Sequence, residues 1–160
     1  MEYLDLYDEN KNLTGEKILR SKDMKIEPGK YINIVIVFIE NSENKFLIQK
    51  TSKEKGSVWA TTGGHVKSGT TCDEAIIVEI KEELGLDINL SELKHIETNK
   101  FNILYQDVYY LKKDIDINDI TIQKEEVEYV KWLTKEEINE LIEKDEFRKG
   151  NIGAFKSLTE

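Results

Sequence analysis

Cysteine is nearly absent. The 160-residue chain has one, Cys72, so no intramolecular disulfide can form, and a reducing compartment, the cytoplasm, is the expected location. Proline is as scarce: Pro28 alone, followed by Gly29, marks a break before an apolar segment. Positive charge is in deficit, with 23 Lys and Arg against 32 Asp and Glu for a formal net charge of −9. Backbone recognition of nucleic acid needs clustered cations, so no nucleic-acid partner is expected. The longest apolar run, Ile32 to Ile39, is interrupted by Asn33 and falls far below the ~20 residues that span a bilayer. The N-terminus is acidic and lacks a signal-type apolar stretch, so neither a membrane partner nor secretion is expected.

What remains, 39% hydrophobic and 34% charged residues, describes one soluble domain over residues 1–160 with a core of useful size. Residues 1–30 read as an N-terminal hairpin, with strands at Tyr3 to Tyr7 and Lys17 to Arg20 around a polar turn. The core, 31–145, opens with a hairpin of Tyr31 to Glu40 and Lys45 to Lys50. Val58 to Thr62 then leads into a glycine loop, and a helix covers Thr71 to Leu84. Strands are expected at Leu93 to Phe101, Asp107 to Leu111 and Val127 to Leu133. A capping box of Thr134 and Glu137 starts a second helix that runs to about Lys144. The tail, 146–160, adds a short helix from Asn151. Strands on both sides of one helix, with a late helix for the other face, predict an α/β/α sandwich around a mixed central sheet.

The helix over 71–84 carries the chemistry. At about 100° per residue, Glu79, Glu82 and Glu83 fall on one side, and Ile76, Ile77, Ile80 and Leu84 fill the neighbouring arc. Like charges three and four residues apart cost a helix about 0.2–0.5 kcal/mol each, and Lys81 points away from them. A divalent cation relieves that repulsion, because Mg²⁺ takes carboxylate and phosphate oxygens. Gly63-Gly64 precede the helix, Thr71 and Glu74 cap its start, and Gly85 closes it.

This segment resembles the Nudix box, G-x5-E-x7-R-E-U-x-E-E-x-G-U with U a bulky apolar residue. Gly64, Glu79, Ile80, Glu82, Glu83, Gly85 and Leu86 match it, whereas Thr70 replaces the loop glutamate and Val78 the arginine. Loss of that opposite-charge pair predicts a less constrained loop from His65 to Thr70. The resemblance implies a Nudix-type α/β/α sandwich and divalent-metal-dependent hydrolysis of a phosphoanhydride. The implied substrate is a nucleoside diphosphate linked to another moiety, or a related organic diphosphate. The N-terminal pattern Asp5-Leu6-Tyr7-Asp8-Glu9 running to Gly15 is similar to the branch related to isopentenyl-diphosphate isomerase. In those isomerases a catalytic cysteine stands where this chain has Gly63. Hydrolase is therefore the assignment; isomerase and a non-catalytic nucleotide-sensing module are the alternatives.

From the resemblance, Glu79, Glu82, Glu83 and the Gly63 carbonyl are the expected ligands of Mg²⁺ or Mn²⁺, with Glu79 also able to activate water. Gly63, Gly64 and Trp59 are the loop and substrate residues, although Trp59 can instead pack under the loop. Glu126 is the expected extra base or ligand, with Asp107 and Glu125 as rivals. His65 is a weaker ligand candidate, His95 and Cys72 are read as non-catalytic, and a homodimer is left open.

Overall fold

A computed structural model describes residues 2–160. Nine strands and three α-helices follow along the chain: β1 (Tyr3–Tyr7), β2 (Leu13–Leu19), β3 (Ile32–Glu40), β4 (Lys45–Thr51), β5 (Trp59–Ala60), β6 (Thr62–His65), α1 (Cys72–Leu84), β7 (Lys94–Phe101), β8 (Leu104–Lys112), β9 (Val127–Thr134), α2 (Lys135–Glu143) and α3 (Lys149–Thr159). β3 is apolar at nearly every position because both its faces are covered. Val35, Val37 and Ile39 pack with Ile76, Ile80 and Leu84 of α1. Ile36 and Phe38 pack with Phe46, Ile138 of α2 and Phe155 of α3. The period of two divides one run between two layers. The result is the expected sandwich with a mixed sheet: β3 and β8 pair in parallel over nine residues, and the other pairings are antiparallel.

The hairpin expected of β3 and β4 exists only at its turn, where Glu40 opposes Phe46. Beyond it the strands part. β6 takes the place beside β3, with Gly63 opposite Ile36 and Gly64 opposite Val35, while β4 pairs with β5 and β9. The segment expected to lead from Val58 to Thr62 into a glycine loop thus holds β5 and the start of β6, in different pairings, and Gly63 and Gly64 belong to β6. β8 begins three residues earlier than expected and α3 two residues earlier.

The N-terminal hairpin forms its own two-stranded sheet. Its second strand starts at Leu13 rather than Lys17, because Asp8 Oδ1 accepts from the amides of Asn10 and Asn12 (2.8 and 3.0 Å) and tightens the turn. Leu4 and Leu6 bury against Ile32, and Leu4 bridges to Lys67. The hairpin therefore leans on the segment between β6 and α1.

Candidate active site

α1 is fixed at both ends by its own sequence. The Thr71 hydroxyl accepts from the Glu74 amide (3.1 Å), and Glu74 Oε1 accepts from the Thr71 amide (3.0 Å). At the C-terminus Gly85 adopts a left-handed conformation (φ 69°), and a side chain there would press on Thr121. That close approach lets the amides of Thr121 and Gln123 reach the carbonyls of Leu84 (2.9 Å) and Glu83 (3.3 Å), which the helix leaves unpaired. The same contacts deliver Gln123 and Glu126 to the carboxylate face of α1.

Glu83 is buried at 6% exposure. Its Oε1 accepts from Gln49 Nε2 at 2.6 Å, and Gln49 Oε1 accepts from the Thr62 hydroxyl at 2.9 Å. This relay from β6 through β4 holds Glu83 in place. A hydrogen bond joins Glu83 to Glu79. Burial, then the bond to Glu79, raises Glu83 above the usual carboxylate range. Burial raises Glu79 too, against the pull of the Glu83 bond. The pair therefore holds a proton at pH values where free glutamates are ionised.

β6 meets this pair with bare backbone. A Cβ at Gly64 would overlap the Glu79 carboxylate, and one at Gly63 would run into the Val35 carbonyl and Ile36. The cleft that results has a volume of roughly 490 Å³, and its walls include Gly63, Gly64, Glu79, Glu82, Glu83 and Glu126. The buried Glu83 carboxylate beside the half-buried Glu79, with Glu82 and Glu126 on the same walls, supplies hard oxygen donors that fit Mg²⁺ or Mn²⁺. Among the described residues no three Asp, Glu, His or Cys groups already converge on one point. The fit rests on the Glu79–Glu83 pair, with Glu82 and Glu126 within the same cleft.

The loop from His65 to Thr70 is braced, contrary to the expectation drawn from Thr70 and Val78. Asp5 Oδ1 accepts from the Ser68 hydroxyl (2.6 Å), Asp5 Oδ2 from the Gly69 amide (3.1 Å), and the Tyr3 carbonyl from the Ser68 amide (2.7 Å). Thr70 closes the loop on itself through the Lys67 carbonyl (2.6 Å). The N-terminal hairpin does what the missing ion pair would have done, and Val78 faces solvent at 44% exposure.

Trp59 does not flank the cleft. Its ring is buried with Ile48, Phe147 and Phe155 and meets Tyr129 edge-on at 5.5 Å, because β5 is a short strand pinned between β4 and the Glu146 carbonyl. Glu126 lines the cleft, 3.5 Å from Lys55 Nζ, whereas Glu125 is exposed and outside it. His65 borders the cleft, and burial holds its imidazole down at about 4. Gln49, Gln123, Glu2 and Arg20 belong to the site without having been expected there. Gln49 stands two residues after Leu47 on a strand otherwise apolar from Phe46 to Ile48, and that lone amide was the available signal.

Asp107 lies elsewhere. At 3% exposure it accepts from Thr98 Oγ1 (2.6 Å), Asn33 Nδ2 (2.8 Å), Cys72 Sγ (3.3 Å) and Lys11 Nζ (3.1 Å), and it contacts His95 Nε2 (2.7 Å). Burial raises its pKa, but Thr98, Asn33, His95 and Lys11 together outweigh this and hold it at about 2. The same burial, with Asp107 beside it, pushes the Cys72 thiol up to about 12, which suits neither a nucleophile nor a ligand. A carboxylate depressed from its ordinary value stabilises the fold above pH 4 and stops doing so as pH falls through its folded pKa. Urea unfolding is expected to show about 2 kcal/mol lost from this group between roughly pH 4 and pH 2, and Asp107→Ala to remove that dependence.

A sheet between helices, with an acidic cleft where a glycine strand meets a glutamate helix, defines the class of protein. Residues 30–154 match the NUDIX domain. An uncharacterized Nudix hydrolase of Listeria monocytogenes, lmo0368, is 35% identical over 151 residues, 92% of this chain and 88% of that protein. Nucleoside triphosphatase NudI of an Enterobacter species is 27% identical over 121 residues, 68% of this chain and 85% of that one. Among solved structures, DR0079 from Deinococcus radiodurans matches with a TM-score of 0.83 at 25% identity over 98% of both chains, and so takes in the N-terminal hairpin. The chain belongs to the Nudix family and is a Nudix-type pyrophosphohydrolase. No helix among the described residues is long and apolar enough to cross a membrane.

Proposed function

We propose that this cleft hydrolyses a phosphoanhydride bond in a nucleoside diphosphate linked to another moiety, or in a related organic diphosphate, with Mg²⁺ or Mn²⁺ bound. The observation that carries the reading is the pair of buried Glu83 and half-buried Glu79 facing a strand that has no side chain at Gly64. Glu79, Glu82, Glu83 and the Gly63 carbonyl would hold the metal, which when bound neutralises phosphate charge and lowers the pKa of water. Glu83 is positioned by Gln49, which fixes where its partner Glu79 sits. Glu79, raised by burial, is suited to take a proton from the attacking water. Glu126, on the wall of the same cleft and 3.5 Å from Lys55 Nζ, is the candidate second base. Gly63 and Gly64 admit the diphosphate close to the backbone. The likeness to a nucleoside triphosphatase supports a nucleotide substrate, and the single cysteine supports a cytoplasmic location. Gly63 in place of a catalytic cysteine, with Cys72 outside the cleft, weighs against an isomerase.

A panel of nucleoside diphosphate derivatives, assayed for mononucleotide or phosphate release with Mg²⁺ and Mn²⁺, tests the reaction. Release that stops on chelation is expected. Conversion of isopentenyl diphosphate to dimethylallyl diphosphate with no hydrolysis of the panel would overturn it. Glu83→Gln is expected to weaken Mn²⁺ binding at least about tenfold by calorimetry, roughly 1.4 kcal/mol. Unchanged affinity would remove Glu83 from the ligand set.

A further inference from the structure

A second cavity of roughly 330 Å³ lies across the glycine strand from the acidic cleft. Gly63, Gly64 and His65 border both spaces, so one ligand can extend from one into the other. No carboxylate lines this cavity, and its free polar groups donate. α3 begins on its wall, and Arg148 at the cap position supplies no oxygen, so no side chain caps the first turn. The Arg148 amide goes to the Trp59 carbonyl (2.8 Å) and the Asn151 amide to the Arg148 carbonyl (3.0 Å), leaving the amides of Lys149 and Gly150 without a backbone partner among the described residues.

Asn151 is the second, independent observation. It is 3% exposed, and its Oδ1 accepts from the Thr61 amide (3.1 Å), which fixes which way the side chain faces. Its Nδ2 has no hydrogen-bond partner among the described residues. No sealed side-chain nitrogen or oxygen among the described residues lacks one, so this Nδ2 opens onto the cavity that Asn151 lines.

Arg148 completes the set. It forms no ion pair among the described residues; the nearby carboxylates Glu126 and Asp145 pair with Lys55 and Lys149 instead. The residue as a whole is exposed, yet its guanidinium sits against the protein closely enough that burial lowers its pKa, with Glu83 and Glu126 acting against that. A cation, uncapped helix amides and a buried amide donor, all without acceptors, are what an oxyanion satisfies. The remaining walls, Ile34, Ile36, Phe101 and Leu104, are apolar.

We propose that this cavity is a phosphate site, in which Arg148, Asn151 Nδ2 and the first turn of α3 hold one phosphate group of an organic phosphate while Phe101 and Leu104 cover its apolar part. That this phosphate belongs to the substrate cleaved in the acidic cleft rests on the proposed hydrolysis; the binding itself does not.

Calorimetric titration of the full chain with AMP and, separately, with inorganic phosphate, both in EDTA, reads the site without metal on the carboxylates. AMP is expected to bind more tightly than inorganic phosphate. Arg148→Ala should weaken AMP at least tenfold and Arg148→Lys less. Asn151→Asp, which keeps the bond to Thr61 and turns a carboxylate to the cavity, should abolish binding. On whichever diphosphate the enzyme cleaves, Arg148→Lys should raise KM more than it lowers kcat. No AMP binding by the unaltered chain, or unchanged affinity in Arg148→Ala and Asn151→Asp with native circular dichroism, overturns the site. Equal affinity for the two probes overturns its assignment to an organic phosphate. AMP binding that depends on Arg148, in a protein that hydrolyses no diphosphate, would sink the proposed reaction and leave the site standing.

Discussion

Glu79→Gln is expected to lower turnover by about 10²–10⁴-fold, the range for loss of an acid–base group, while leaving the fold as stable as before. The two halves of that expectation have one cause. Burial makes the Glu79 carboxylate a stronger base than an exposed glutamate, and it sits beside Glu83, Glu82 and Glu126, all of the same sign. An amide in its place has no useful basicity, so the water that Glu79 would deprotonate loses its acceptor. The amide can still donate to Glu83, which keeps a hydrogen bond between the two side chains. It also removes a carboxylate that burial and the like charges of Glu82 and Glu126 already disfavour, so little stability is lost. Turnover on the best substrate found and the unfolding midpoint, measured side by side, separate the effects. Turnover within a few-fold of the parent, or loss of both quantities together, would remove Glu79 from the chemistry.

Local features were legible in the sequence because their determinants are neighbours along the chain. Thr71 with Glu74, Gly85, and Thr134 with Glu137 are self-contained signals, and α1 and α2 begin and end where they say. β3 announced itself by a continuous apolar run. Pairing was less legible. Nothing in residues 31–50 tells β4 to leave β3 after one pair, because the reason lies in β6 and β9, which compete for the edges so exposed. The carboxylates Glu79, Glu82 and Glu83 could be read from the period of the helix, but Gln49 could not. Its role depends on β4 running beneath α1 at the level of Glu83. Asp107 shows the same limit from the other side. As an acid on a strand it looked available, and only the convergence of Lys11, Asn33, Cys72, His95 and Thr98 from four separate segments shows that its charge is already satisfied. Thr70 and Val78 misled for a related reason. The pattern they break describes one way to hold the loop, and Asp5, more than 60 residues upstream, supplies another.

Gly64→Ala is expected to cost at least about 100-fold in turnover with little change in stability. Gly64 is not held in a left-handed conformation, so the added methyl strains no backbone torsion; it competes only for space. What occupies that space is the far end of the Glu79 side chain, which can rotate away. The fold therefore survives, and the carboxylate moves from the position set by Glu83 and Gln49. A displacement of ~1 Å in a reacting group is enough for a 10²-fold loss. Gly63→Ala, one residue earlier, meets the Val35 carbonyl and the Ile36 backbone, which cannot rotate away, so there the expected loss is in the unfolding midpoint. Gly69→Ala offers a third contrast, with open space around the new methyl but a φ of 84°, and should lower stability moderately through torsional strain while Glu79 stays in place. Measuring kcat and unfolding for the three variants tests the assignment directly. If Gly64→Ala retained turnover while Gly63→Ala lost both, the close approach of β6 to Glu79 would be a packing feature alone, and the placement of this carboxylate would have to depend on Glu83 and Gln49 without help from the glycine strand.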